Sequence, residues 1–228
     1  MIQITDPVAE IERRVADALA RSGRNDRVTI VAVSKRHPPE AVARVRAAGL
    51  VHFGENYLQE ALEKIEAISN SGIEWHFIGQ IQSNKTRDIA SRFSWVETVD
   101  RKRIADRLNA QRPERLGPLN VLIQLNLDNE PQKGGVGEKD LLPLAEHIAR
   151  LPMLRLRGVM GMPPAGQSET ARRNSFLAIA AQAERLRKAG FTSPKISTSY
   201  SNSSSRRTGK TRWAVLSSSA YSGSASWR

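Results

Sequence analysis

Between residues 28 and 189, six short apolar, β-branched runs are each followed by a longer amphipathic stretch, an alternation that restricts the chain to helices packed on a parallel sheet. The runs fall at 28–34, 51–53, 75–78, 95–99, 120–127 and 154–160. The helical patterns fall at 40–48, 57–68, 84–90, 101–111, 139–150 and 168–189, after an opening helix at 6–21. The first run, Val28-Thr-Ile-Val-Ala-Val-Ser34, has almost no polar alternation, as expected of a strand buried on both faces. Six such units with short connections leave a closed (β/α)8 barrel or an open doubly wound sheet. No Gly-x-Gly-x-x-Gly follows the first strand, so the dinucleotide-binding form of the open sheet loses support. At 228 residues the chain has the ordinary length of one barrel domain.

In a barrel, polar residues at strand C-termini gather on one rim, where this fold builds its sites. That rim would hold Ser34, Lys35, Gly54, Glu55, Asn56, Gly79, Gln80, Asp100, Asn126 and Gly161, a polar, glycine-rich set suited to a ligand. Lys35 stands directly after the most apolar strand. A low-dielectric wall there would lower its pKa and free a neutral amine to react with an aldehyde; the alternative is a lysine that escapes the strand end into solvent. His76, between Trp75 and Phe77, reads as a hydrogen-bonded core histidine. Asn84 and Lys85 open a helix at the rim, where donors can assist an anion or simply be solvated. Met160 and Met162 are expected to fill gaps in the barrel floor and rim.

Charge and composition narrow the function. The net charge of +12 and pI near 10.7 raise nucleic-acid binding. Half of that excess, however, lies in residues 192–228, which carry six basic residues and no acidic one. In the body, Lys and Arg interleave with Asp and Glu as on solvated helix faces, so nucleic acid is not the expected partner. The chain has no cysteine, which excludes disulfides, a thiolate nucleophile and a cysteine-based metal site; no metal site is expected. No apolar run approaches the roughly 20 residues of a membrane span, and the N-terminus lacks signal-peptide character, so a cytoplasmic location is the expectation.

Several longer strings are more specific. Ala32-Val-Ser-Lys35, Phe53-Gly-Glu-Asn-Tyr57, Trp75-His-Phe-Ile-Gly79, Gln82-Ser-Asn-Lys85, Val99-Asp100 followed by Arg107-Leu-Asn109, and Leu154-Arg-Leu-Arg-Gly158 followed by Met160 occur in this order over most of the chain. Together they closely resemble the pyridoxal phosphate homeostasis protein family (the YggS or PROSC family). The resemblance implies a single (β/α)8 TIM barrel like the N-terminal domain of alanine racemase, with pyridoxal 5′-phosphate held as a Schiff base on the lysine matching Lys35. It places Asn56 on the cofactor rim, although Asn56 is equally placed to cap the helix that follows. It also suggests that Lys133 takes up or passes on the cofactor; the alternative is a flexible loop lysine beside Gly134 and Gly135.

The ending departs from the family. The family's last two strands carry a Ser-Met-Gly-Met-Ser segment, a helix, and a Val-Arg-Ile-Gly-Thr strand that together cup the phosphate. Here residues 192–228 contain thirteen serines and no helical periodicity. The chain therefore divides into a cofactor-binding body, 1–191, and a Ser/Arg-rich segment, 192–228, that is either divergent or the product of a shifted reading frame. In the divergent case Ser201 aligns with the family's second serine as a phosphate contact, and Ser218 and Ser219 replace its Gly-Thr pair. The last two strands are thus in doubt at this point.

The function implied is reversible carriage of pyridoxal phosphate in vitamin B6 homeostasis, with pyridoxal-phosphate-dependent apoenzymes as recipients, and not conventional catalysis. Two alternatives remain. A pyridoxal-phosphate racemase needs a second acid/base group, yet Tyr57 falls at a helix start and not at a strand end. A nucleic-acid-binding role would rest on the basic tail alone.

Overall fold

The computed structural model describes residues 5–23, 28–69, 72–126, 134–163, 166–191, 197–199 and 212–216. Eight strands follow one another around a closed barrel in sequence order: β1 (Val28–Val33), β2 (His52–Glu55), β3 (Glu74–Phe77), β4 (Trp95–Val99), β5 (Leu119–Gln124), β6 (Leu154–Met160), β7 (Ser197–Ser199) and β8 (Arg212–Leu216). Every neighbouring pair is parallel. This resolves the choice of architecture in favour of the barrel.

A helix α1 (Thr5–Arg21) precedes β1. Helices α2 (Pro39–Ala47), α3 (Leu58–Ala67), α4 (Thr86–Arg92), α5 (Lys102–Gln111), α6 (Glu138–Ala149) and α7 (Glu169–Lys188) follow β1 to β6 in turn. Local chemistry sets their ends. Pro39 opens α2, where its fixed φ suits the first turn and its missing N–H is not needed. Ser168 caps α7 by accepting from the Ala171 N–H at 3.2 Å. The same helix closes on Arg185, Arg187 and Lys188, cations that favour a helix C-terminus, and Gly190 then takes φ +81°. The helix expected at 84–90 opens instead as a 3-10 turn, Ser83–Lys85, before α4.

Strand periodicity divides the interior into two layers. Val31, Val33, Trp95, Leu122 and Met160 fill the lumen, with Ile78 against them. Phe53, Phe77, Val96, Ile123 and Val159 point outward into a larger layer shared with the helices, including Ile104, Leu108, Leu141, Ile148 and Leu186. Each such side chain contributes roughly 1.5–3 kcal/mol on full burial, so the outer layer dominates stability. Met160 packs as expected, but Met162 does not: it is 63% exposed. The chain leaves the lumen at Gly161, where a Cβ would lie 2.6 Å from Ile179 of α7, and Met162 falls beyond that point.

The backbone of the serine-rich ending takes the two positions that the sequence left in doubt. β7 pairs with β6 from Gly158↔Ser197 to Met160↔Ser199, and β8 pairs with β1 from Val28↔Arg212 to Ala32↔Leu216. Lys133, Ser201, Ser218 and Ser219 lie outside the described residues. No helix among the described residues is long and apolar enough to cross a membrane.

Candidate functional site

Lys35 sits in a turn at the C-terminal end of β1. The His37 N–H donates to the Ser34 carbonyl at 3.0 Å, with Lys35 and Arg36 between them. Arg36 adopts φ +63°, the only positive φ of a non-glycine residue among the described residues, a conformation disfavoured by roughly 1–2 kcal/mol for an L side chain.

A buried ionic hub under this turn holds it. Lys64 of α3 donates to the Ser34 carbonyl at 2.6 Å, to Glu55 at 2.7 Å and to Glu60 at 2.6 Å. The Ser34 hydroxyl donates to the same Glu55 oxygen at 2.6 Å, and the Arg36 N–H donates to Glu60 at 2.5 Å. The residues on both sides of Lys35 are therefore tied to one helix. Glu55 is fully buried, and burial pushes its carboxyl pKa up even though Lys64 and Ser34 pull it down by hydrogen bonding.

Register pairs Val33 with Gly54, and Lys35 and Asn56 each follow two residues after that last pair. Val31 and Val33 face the lumen whereas Ala32 packs in the outer layer, and Lys35 follows in the turn two residues beyond Val33. On β2, Phe53 points outward and Gly54 pairs with Val33; two residues further on, Asn56 continues the same face. Asn56 does not cap α3. The N-cap is Tyr57, without a side-chain cap bond, and the Asn56 Oδ1 is buried with no hydrogen-bond partner among the described residues. Gly79 explains how β3 ends so close to it: a Cβ there would lie 1.9 Å from the Asn56 carbonyl oxygen. The Gly79 carbonyl in turn accepts from the Thr98 hydroxyl at 2.6 Å.

On another arc of the rim, Gln124 donates to the Gly134 carbonyl at 2.8 Å, and Gly134 lies against the Asp100 carboxylate. Asp100 is engaged by Arg101 at 2.6 Å. Asn84 and Lys85 are exposed, consistent with the solvated reading of Lys85. His76 is fully buried and hydrogen-bonded to Glu97 at 2.7 Å, as its position between two outward aromatic residues suggests. Sequence reasoning missed Lys64 and Glu60. Their signal is a lysine inside the apolar stripe Ala61, Lys64, Ile65 and Ile68 of α3, with a glutamate one turn earlier.

The closed parallel barrel matches the family model described as the alanine racemase N-terminal domain over residues 8–214. Alanine racemase from Corynebacterium glutamicum shares the fold at a TM-score of 0.56 and 16% identity, covering 80% of this chain but 51% of the racemase. PipY of Synechococcus elongatus PCC7942, solved with pyridoxal phosphate bound, superposes with a TM-score of 0.71 at 27% identity, over 89% of this chain and 96% of PipY. The pyridoxal phosphate homeostasis proteins of Pseudomonas aeruginosa and Escherichia coli K12 are each 47% identical, over 77% and 75% of this chain and the same shares of their own lengths. The chain belongs to the pyridoxal phosphate homeostasis protein family.

Proposed function

We propose that this protein binds pyridoxal phosphate reversibly at the C-terminal rim of the barrel, through Lys35, and serves vitamin B6 homeostasis as a carrier and not as a catalyst. The observation that carries the reading is the tied turn that holds Lys35 just past the end of β1, together with an Asn56 oxygen just past the end of the paired β2 that is buried without a hydrogen-bond partner among the described residues. An orphaned acceptor of that kind carries a desolvation penalty of about 1–3 kcal/mol unless a ligand donates to it. When bound, the cofactor supplies an aldehyde carbon able to bond to an amine. Lys35 supplies that amine, Lys64 and Glu60 orient its backbone, and Asn56 accepts a hydrogen bond from the ligand. Ser201 is proposed as a hydroxyl contact for the phosphate.

The carrier reading is favoured over racemization because the relatives at 47% identity are pyridoxal phosphate homeostasis proteins. In addition, Tyr57 is 52% exposed at the start of α3 and does not stand at a strand end, so it is poorly placed as a second acid/base group. Apoenzymes that need the cofactor are the proposed recipients.

Adding pyridoxal phosphate to the purified protein should produce a visible absorbance band that Lys35→Ala lacks while retaining its fold by circular dichroism. A band of equal intensity in the variant would overturn the assignment of Lys35. Deuterium uptake at Cα from a panel of L-amino acids would overturn the carrier reading in favour of catalysis.

A further inference from the structure

The N-terminal half of the lumen, opposite the Lys35 rim, contains a group of side chains that the cofactor reading does not use. Registration brings them together: His52 of β2 pairs with Glu74 of β3, Gly54 with His76, and His76 with Trp95 of β4. His52 Nδ1 lies 3.1 Å from His76 Nε2 and 3.7 Å from Glu74 Oε2, and one ligand atom from each of the three residues falls within 4.8 Å of the others. The second ring nitrogen of His76 lies 2.7 Å from Glu97, and the Trp95 indole N–H donates to Glu74 at 3.1 Å. His76 also stacks on the Trp95 ring, with the planes 6° apart.

We propose that His52, His76 and Glu74 form a binding site for one zinc-class divalent cation at the N-terminal end of the barrel lumen, with Glu97 and Trp95 as the groups that orient the ligands. Zinc bound by imidazole and carboxylate at about 2.0–2.2 Å in tetrahedral geometry sets its ligand atoms roughly 3.3–3.5 Å apart, and the two shorter separations bracket that value. A carboxylate on the distal nitrogen of a ligating histidine fixes its tautomer, which is the arrangement of Glu97 and His76, and a bound ion would replace the present hydrogen bond between His76 Nε2 and His52 Nδ1. The indole N–H likewise holds the Glu74 carboxylate. Two imidazoles and one carboxylate favour zinc, cobalt or nickel over magnesium or calcium, and water completes the fourth position. The Glu74 side chain is 49% exposed, which gives the ion a route from solvent and gives the carboxylate freedom to close the longest gap.

Such an ion would tie β2 to β3, and through Glu97 to β4, at the end of the barrel whose residues bear on stability and not on chemistry. The inference is independent of the cofactor assignment. It also departs from the sequence-based expectation of no metal, because the five ligand and support residues come from three strands whose mutual register only the closed sheet fixes.

The test uses the full chain, stripped with a chelator and titrated with Zn²⁺ alone by calorimetry, with a parallel melting curve and a Co²⁺ titration followed in the visible. One Zn²⁺ per chain, a higher melting temperature with Zn²⁺ present, and tetrahedral Co²⁺ absorption are expected. His52→Gln and Glu74→Gln should each weaken Zn²⁺ binding by about tenfold or more while leaving the Lys35-dependent absorbance band intact. Both replaced residues reach solvent and glutamine keeps a hydrogen-bonding group, so either variant can decide the matter if the other misfolds. Absence of saturable one-to-one binding overturns the proposal, as does wild-type affinity in both variants, which would place the ion at His37 or His147 instead.

Discussion

The Lys64 ammonium donates to the backbone carbonyl of Ser34 at 2.6 Å, one residue before the lysine on which the proposed function depends. Lys64 is only 3% exposed in its side chain, and Glu55, which it also contacts, is wholly buried. Removing one member of a buried ion pair strands the other, at a penalty of about 3–5 kcal/mol, whereas removing both charges together is far milder. Lys64→Met should therefore lower unfolding stability in urea by about that amount, and Lys64→Met combined with Glu55→Gln should recover a large part of the loss. The single variant should also form the Lys35-dependent band more slowly, because the turn loses its tie to α3. Equal stability of single and double variants would show that the pair is not coupled in this way.

Glu55 gives a pH dependence of defined sign. Its folded-state pKa is raised above the ordinary 4.5, chiefly by burial. The folded chain thus holds this proton more tightly than the unfolded chain does, and the group's contribution to stability is fully present below the unfolded value and lost as pH rises through the folded one. Glu55→Gln removes that contribution. The stability of the native protein relative to Glu55→Gln should fall as pH rises above about 4. Urea midpoints of both proteins at a series of pH values measure this difference, and a difference that rises with pH would contradict the burial of an uncomfortably ionised carboxyl.

Much of this arrangement is legible in the sequence, for reasons that vary by residue. β1 to β6 and α1 to α7 read within a few residues of their observed ends, because runs such as Val28 to Val33 and stripes such as Ile104, Ala105 and Leu108 have unambiguous period. Lys35 could be placed because a strand end fixes a rim position. Whether Asn56 caps α3 could not be read, since capping and ligand contact use the same residue type and only the structure shows Tyr57 at the N-cap. The Lys64 hub joins residues 21 and 30 positions apart around Ser34, distances that periodicity does not encode. In the ending, the composition of residues 192–228 obscured Trp213-Ala-Val-Leu216, a strand-like run that forms most of β8.

Closure by that run leads to a further prediction. β8 pairs with β1 over five consecutive positions, and β7 covers the exposed side of β6. Deleting residues 192–228 would leave both strands with unpaired backbone donors and acceptors, a template for edge-to-edge association. The truncated chain should form large assemblies in light scattering and lose most of the Lys35-dependent band. A truncated protein with native size and melting temperature would mean that the body, 1–191, is a stable unit and that the ending is dispensable, as an out-of-frame origin would allow.

Arg112 offers a test of the scaffold away from the rim. It follows α5, is 9% exposed, and donates to four carbonyls: Ala90 at 2.6 Å, Phe93 at 2.9 Å, Gly117 at 2.8 Å and Leu116 at 3.3 Å. Two of these carbonyls belong to the last turn of α4 and the residue just beyond it, where orphan acceptors and the negative end of the helix dipole favour a cation. Burial lowers the guanidinium pKa from its usual value, but the planar fork still matches the divergent carbonyls in a way that a lysine ammonium cannot. Arg112→Lys should already destabilise the protein measurably, and Arg112→Ala should do so by about 2–4 kcal/mol through the stranded carbonyls. Because none of these four carbonyls lies at the Lys35 rim, the absorbance band of the folded variant should match the wild type. Urea unfolding that shifts by less than about 0.5 kcal/mol for Arg112→Ala would mean that water satisfies these acceptors as well as the guanidinium does.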